Sequence, residues 1–410
     1  MNLTERLDLR GGRNCWREAP SEDKPEELPQ SCDVVVIGAG VMGALVAQRL
    51  AADGLDVTLL DRRAPSTGAT AASTALVMWD ADVPLTHLAR AIGAEEAARR
   101  WRRVFSAVET LDERIASLGL NCSWKSRPEL YLAGDVLDAE ALEHEVAARA
   151  AAGLPSALMK GAALGERFDI APRDGLLSTG SFEVDPVALT LGMIKAARGA
   201  GAKLCFPHEV ERLGLESDGV RVHCANGADI VAKHVVLATG YEAARLFLPE
   251  AFSLSSSYAI ASKPGEAPAW RENALIWEAS DPYLYARATS DGRIIVGGED
   301  EEFVDAKKRD ALIPEKHAAL AAKAAVMLQR DDMQFDCAWA ATFGGSPDGL
   351  PAIGRAQTMD RVLLAYGYGG NGVTFASLGS EMVRALIRGD DDPAQTYFDP
   401  YRTFGHQDEL

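Results

Sequence analysis

The chain has little of what marks a metal, disulfide or membrane protein. Its six cysteines (15, 32, 122, 205, 224 and 337) contain no CxxC or CxxH spacing, and its seven histidines contain no HxxxH or HxH pair. A metal site is therefore not expected, and scattered cysteines in a chain of 410 residues read as reduced thiols rather than a disulfide framework. No run of about 18 apolar residues occurs, so no transmembrane helix is expected. Residues Met1 to Asp8 carry Glu5, Arg6 and Asp8 with no apolar stretch of the secretory kind, which points to the cytoplasm. The terminal Gln407-Asp408-Glu409-Leu410 is then a chance likeness to a retention tail. Basic residues are outnumbered, 42 against 60 acidic, for a net charge of −18. Phosphate backbones and anionic lipid repel such a surface, so no nucleic-acid partner is expected. Repeats, low-complexity tracts and any Ser/His/Asp or Cys/His constellation are missing as well.

What is present is a globular composition, 47% hydrophobic, in a chain long enough for two domains. Residues 1 to about 31 read as a surface arm, charged and broken by proline from Glu22 to Glu27, with Trp16 as its anchor. Val34-Val35-Val36-Ile37 then reads as a central parallel strand, Val41 to Ala52 as a helix, and Leu55 to Leu60 as a second strand. Further helices are expected over about 86–118, 136–152 and 186–198, the last with Asp185 as its cap and Pro186 in its first turn. Strand signals cluster at 130–132, 202–239 and 256–298, one long helix over 305–330, and a closing strand and helix at 362–365 and 373–387.

The strongest motif is Gly38-Ala39-Gly40-Val41-Met42-Gly43, which follows a predicted strand and opens a predicted helix, with acidic Asp61 ending the next strand. Gly38 makes the turn, Gly40 admits a pyrophosphate, Gly43 lets helix and strand pack closely, and the helix N-terminus offers free N–H groups. Asp61 is placed to accept from ribose hydroxyls, so a dinucleotide is expected here. Two later segments separate FAD from NAD. Val235 to Gly240 is an apolar strand ending in Thr239-Gly240, and Gly367-Tyr368-Gly369-Gly370-Asn371-Gly372 precedes another helix. A second glycine-rich loop at a helix N-terminus suits an electron-rich group such as a flavin pyrimidine edge, which a nicotinamide enzyme does not need.

With these segments in place, residues 32 to about 390 resemble the D-amino-acid oxidase-like superfamily of FAD oxidoreductases, which includes glycine and sarcosine oxidases, D-amino-acid dehydrogenases and γ-glutamylputrescine oxidases. The resemblance also rests on Gly68-Ala69-Thr70-Ala71-Ala72-Ser73, Glu183-Val184-Asp185-Pro186, Arg293 to Gly298, and Pro347-Asp348-Gly349-Leu350-Pro351. It implies an α/β fold in which a Rossmann-like FAD-binding domain (32–84, 175–248 and 336–395) is interleaved with an α+β substrate domain on a mostly antiparallel sheet (85–174 and 249–335), with residues 396–410 as a tail. It implies that Arg62 lies near the adenosine, that Thr70, Ala71, Ala72 and Ser73 meet the pyrophosphate and flavin, and that Val210 meets the adenine. Thr239 and Gly240 pass close to the cofactor, and Gly345, Gly370, Asn371, Gly372, Val373 and Thr374 belong with the flavin end.

The family pattern also fails in places. Amino-acid oxidases of the superfamily place a carboxylate-clamping arginine shortly after the tryptophan equivalent to Trp339, whereas Phe343 stands at that place here. Arg287 is the candidate substitute, and Tyr258 and Tyr285 are candidates to line the substrate pocket. The lysine that helps oxygen react in sarcosine oxidase relatives is replaced by Ile295 or Val296, which leaves oxygen or another electron acceptor open. Cys337 lies roughly where those relatives attach FAD covalently, but a buried thiol and non-covalent FAD are the favoured reading. The expected activity is oxidation of the C–N bond of a small amine or amino-acid-like substrate by hydride transfer to flavin N5, giving an imine that hydrolyses. The alternatives are a 2-hydroxy-acid oxidase or dehydrogenase on the same fold, or a flavin-binding subunit of a larger complex. The oligomeric state is not legible.

Overall fold

The computed structural model describes residues 3, 5–16, 25–268 and 270–405. The charged stretch from Glu22 lies partly outside them.

Two sheets share the chain. In the first, strands Ala352–Ala356, Met359–Tyr366, Asp229–Leu237, Ser31–Ile37, Val57–Leu60 and Lys203–Cys205 lie side by side in that order, with Val210–Leu215 and Val220–Cys224 as an antiparallel flap. Ser31–Ile37 is parallel to both its neighbours. Its run of β-branched residues is explained by burial on both faces: Val34 and Val36 enter one core while Val35 and Ile37 enter the other. Helices Val41–Ala52, Pro186–Gly199 and Gly372–Arg388 cover the first of those faces. Asp185 caps the middle one by accepting from Val187 N–H and Ala188 N–H.

The second sheet runs Arg10–Arg13, Phe335–Gly345, Ser253–Ser262, Ile294–Glu301, Leu284–Ala288, Leu275–Glu278, Lys125–Leu132, Gly175–Glu183 and Leu76–Val77, with Ser156–Met159 also pairing with Gly175–Glu183. Helix Ile313–Leu328 packs on one of its faces. The other faces the dinucleotide unit.

Several expectations change. The arm is not only a surface segment: Arg10–Arg13 is an edge strand paired with Phe335–Gly345, and Leu3 and Leu9 are buried. Trp16 does anchor it, donating from Nε1 to the Ser73 carbonyl at 2.8 Å. Strands Gly175–Glu183 and Phe335–Gly345, expected with the FAD domain, hydrogen-bond into the second sheet, because their ladder partners lie there. The helix expected over 86–118 is two, Leu85–Ile92 and Ala94–Ser117, broken where Gly93 takes φ +92°. The helix expected over 305–330 is also two, Ala306–Ala311 and Ile313–Leu328, since Pro314 suits only a first turn.

Candidate functional site

A cavity of about 310 Å³ lies between the two sheets, bounded by Leu3, Glu209 and Val210 at one end and by Trp277, Tyr283 and Tyr285 at the other. Glycine geometry builds its floor. Gly38 turns the chain at φ +110°, and a methyl there would overlap the Ala238 carbonyl. A methyl on Gly43 would overlap the Gly38 carbonyl oxygen, so the missing side chain is what seats helix Val41–Ala52 on the turn. Gly43 packs rather than lines. Gly38, Gly40, Val41 and Met42 border the cavity, with Gly40 as an N-cap that supplies no side-chain hydrogen bond. Val41 N–H donates to Thr70 Oγ1 at 3.0 Å.

Asp61 holds the turn from the neighbouring strand, accepting from Ala39 N–H at 2.7 Å and Arg63 N–H at 2.8 Å. Burial pushes its carboxyl up, and those two N–H groups pull it back. Arg62 borders the cavity but is engaged in ion pairs with Glu242 and Glu209. Arg6 from the arm closes on Glu209 and Leu7 N–H donates to Glu242, so the arm walls this end. Sequence reasoning missed Glu209, Glu242 and the arm, because nothing local distinguishes a charge that pairs across some 200 residues from a solvated one.

The turn Ala69–Ala72 is pinned by two indoles: Trp339 Nε1 donates to the Ala72 carbonyl at 2.9 Å, and Trp16 to that of Ser73. Thr70, Ala72 and Ser73 line the cavity, while Ala71 is turned into protein. Val210, Thr239 and Gly240 line it too, and Gly240, at φ +66°, has open space where a Cβ would stand.

The second glycine loop meets the same cavity through Gly370, Asn371, Gly372 and Val373, at the head of a helix whose N-cap, Asn371, makes no capping bond. Three hydrogen bonds strap segment Met78–Asp82 to that helix start. Gly370 N–H donates to Asp82 at 2.7 Å, Asn371 Nδ2 to the Asp80 carbonyl, and Thr374 Oγ1 to the Met78 carbonyl at 2.8 Å. Thr374 is fully buried and holds this strap, without bordering the cavity. Gly345, at the end of its strand, stands outside the lining.

At the far end, Trp339 and Phe343 face the cavity from alternate positions of strand Phe335–Gly345, and Tyr285 faces it from Leu284–Ala288, with two strands between. Gly297 makes room for Tyr285, since a methyl there would overlap its ring and hydroxyl. Two of the expected pocket residues do not face it. Tyr258 contributes only the backbone of its strand: its ring lies across the sheet among Ile260, Leu284, Val296 and Leu320, under the Lys316 ammonium. Side chains alternate along a strand, and the neighbours Ser257 and Ala259 take the cavity side. Arg287 is no substitute clamp. It is 1% exposed and spends its donors on the carbonyls of Thr74, Ala75, Val184 and Ala288. It orders the backbone bordering the cavity instead. Cys337, two positions before Trp339, is buried against Ala261, Ile295 and Trp16 and is not part of the lining; burial pushes its thiol up.

The electrostatics divide along the cavity. Arg62 and Arg63, the cationic side chains among the described lining residues, stand with His208 at the Val210 end. Asp80 and Asp82 stand at the aromatic end. Asp80 is paired with the fully buried Arg149, itself bonded to Glu145 at 2.9 Å. Asp82 opens to the cavity but is walled by protein elsewhere, and desolvation pushes its carboxyl up to about 6.

Two uncapped helix N-termini meeting one elongated cavity, with open space at Gly240 and Gly372, fit a long ligand with a pyrophosphate in the middle and an electron-rich ring at one end. FAD has that form. Comparison with known proteins agrees. Residues 33–386 match the model of the FAD dependent oxidoreductase family, and the chain belongs to that family. It is 26% identical over 375 residues to a glycine oxidase of Bacillus licheniformis, covering 87% of this chain and 93% of the relative. It is 23% identical over 442 residues to the gamma-glutamylputrescine oxidoreductase of Escherichia coli (strain K12), covering 98% and 93%. The fold matches the crystal structure of L-proline dehydrogenase from P. horikoshii with a TM-score of 0.75 at 21% identity, over 91% of this chain and 98% of that one.

Proposed function

We propose that this FAD-dependent oxidoreductase oxidises the C–N bond of a small amine at the aromatic end of its cavity, with FAD held non-covalently. The observation that carries the reading is one cavity shared by two helix N-termini without N-cap side-chain bonds and an aromatic wall of Trp277, Tyr283 and Tyr285.

The roles of the residues follow from their positions. The Gly38–Gly43 turn and the first turn of helix Val41–Ala52 hold the pyrophosphate, Asp61 the ribose, and Val210 the adenine through its backbone. The head of helix Gly372–Arg388 stabilises negative charge on the flavin pyrimidine edge, and the Met78–Asp82 strap fixes that head in place. Bound FAD supplies the two-electron acceptor. The chain itself supplies orientation and desolvation: Tyr285, Trp277 and Phe343 exclude water from the reacting nitrogen and favour its uncharged form. No side chain is assigned as an obligate acid or base. With Phe343 at the cavity and Arg287 engaged elsewhere, no arginine clamp supports an α-carboxylate. Six unpaired thiols support a reducing compartment, the cytoplasm.

Anaerobic mixing of the holoenzyme with amines, amino acids and 2-hydroxy acids tests the reading: amines should bleach the flavin bands. Bleaching by 2-hydroxy acids alone would replace it with the hydroxy-acid alternative. Acid precipitation should leave the flavin in the supernatant, whereas flavin in the pellet would reinstate a covalent bond.

A further inference from the structure

The aromatic end of the cavity carries more negative charge than its surroundings offset. Asp82 accepts from Gly370 N–H, and Asp300 sits behind Tyr283, whose hydroxyl lies 3.4 Å from it. Neither carboxylate has a cationic partner within 4 Å among the described residues. The nearest candidate, Lys316, is engaged by Glu299 and Glu301. Asp80 is 1% exposed, borders the cavity, and is offset by Arg149, whereas Asp300 stands outside the lining, faced by Tyr283 and Ser257, and adds its charge from behind that wall. Around these groups stand Trp277, Tyr283 and Tyr285, the two tyrosines stacked at 5.8 Å. No arginine, lysine or histidine side chain faces this end among the described lining residues.

Such a wall repels a carboxylate and attracts a cation, which aromatic faces stabilise further. We propose that the pocket selects its substrate by positive charge: the occupant is an organic cation without an α-carboxylate, such as a diamine whose second nitrogen is held as ammonium by Asp82 among Trp277, Tyr283 and Tyr285, with Asp300 adding negative charge from behind Tyr283. This rests on the amine-oxidation reading and narrows it to a substrate class. The Asp82 carboxylate, which lines the cavity and accepts from Gly370 N–H, is the acceptor the ammonium meets. One nitrogen stays charged and bound at the acidic wall while the other loses its proton and reacts.

Three probes of similar shape separate charge from fit: butyltrimethylammonium, butanol and butanoate, titrated into the holoenzyme and followed by flavin absorbance and tryptophan fluorescence. The cation should bind at least tenfold tighter than butanol, and butanoate weaker than butanol. Asp82→Asn should lower the cation-to-butanol ratio about tenfold and Asp300→Asn, one layer back, by less, with flavin content and circular dichroism confirming the fold. Butanoate binding as tightly as the cation, or a double variant with an unchanged ratio, overturns the proposal. Anaerobic bleaching by butane-1,4-diamine against 4-aminobutanoate separates the two claims. A cation that binds while no amine bleaches the flavin removes the oxidation reading and supports the charge assignment. Amines that bleach the flavin with 4-aminobutanoate preferred do the reverse.

Discussion

Replacing Asp348 with alanine should cost more stability than any surface change in this protein. Its carboxylate is fully buried and accepts from Arg402 Nε at 2.8 Å, Arg402 Nη2 at 2.7 Å and Arg100 Nη1 at 3.2 Å. Leu350 N–H at 3.2 Å and Ser346 Oγ at 3.3 Å complete the set. Both guanidinium groups are themselves buried, at 6% and 9% exposure. Removing one partner of a buried ion pair leaves uncompensated charge and costs about 3–5 kcal/mol. Arg402 keeps the carbonyls of Leu350, Pro351 and Asp399, which places the expected loss near the lower end, about 3 kcal/mol. That is a shift of about 100-fold in the folded-to-unfolded ratio. The consequence reaches the site, because loop residue Gly349 stands against both Gly369 and Asp82. Urea unfolding read by circular dichroism should show a lower midpoint at unchanged slope, with flavin released earlier. The double variant Asp348→Ala/Arg402→Ala should be less unstable than the sum of the singles, since the second change removes a stranded charge. A loss below about 1 kcal/mol, or strict additivity, would refute the assignment of this carboxylate as a buried hub.

Gly43→Ala forces the N-terminus of helix Val41–Ala52 away from the turn, because its methyl would meet the Gly38 carbonyl. Losing about two charge-assisted N–H bonds to a pyrophosphate should weaken FAD binding by at least about 100-fold, measured by titrating apoprotein. Gly199→Ala, with open space around it, should leave FAD affinity unchanged and serves as the control. Gly297→Ala should displace Tyr285 and raise KM for an amine by about tenfold while flavin content stays constant; an unchanged KM would mean that Tyr285 does not shape the pocket. Asp82 and Asp300, pushed up to about 6 by burial, are mostly protonated at pH 5 and ionised at pH 7. Asp82 is faced by Asp300, Gly370 N–H, Tyr131, Tyr241 and Tyr283, and Asp300 by Ser257, Tyr283, Asp281 and Lys316; burial holds the three tyrosines neutral throughout that range. Affinity for the non-titrating butyltrimethylammonium should therefore rise with pH across 6, and Asp82→Asn should shrink the rise. A flat profile would contradict the carboxylate assignment.

Some of this protein was decided by the sequence alone. Four consecutive β-branched residues, a glycine-spaced turn and an acid at the end of the next strand impose local geometry that hardly depends on the rest of the chain. The dinucleotide unit was therefore legible residue by residue, down to the bounds of helix Val41–Ala52. Asp185 likewise announced a helix start, because capping is a local bond. Tertiary structure decided what depends on partners far along the chain. Which sheet Phe335–Gly345 and Gly175–Glu183 join is set by ladder partners, not by composition. Whether Tyr258 or its neighbours face the cavity is set by register, where one residue reverses the side chain. Arg287 reads in sequence as a free cation; only the fold brings four carbonyls to it and keeps it from the Asp82 carboxylate at the cavity.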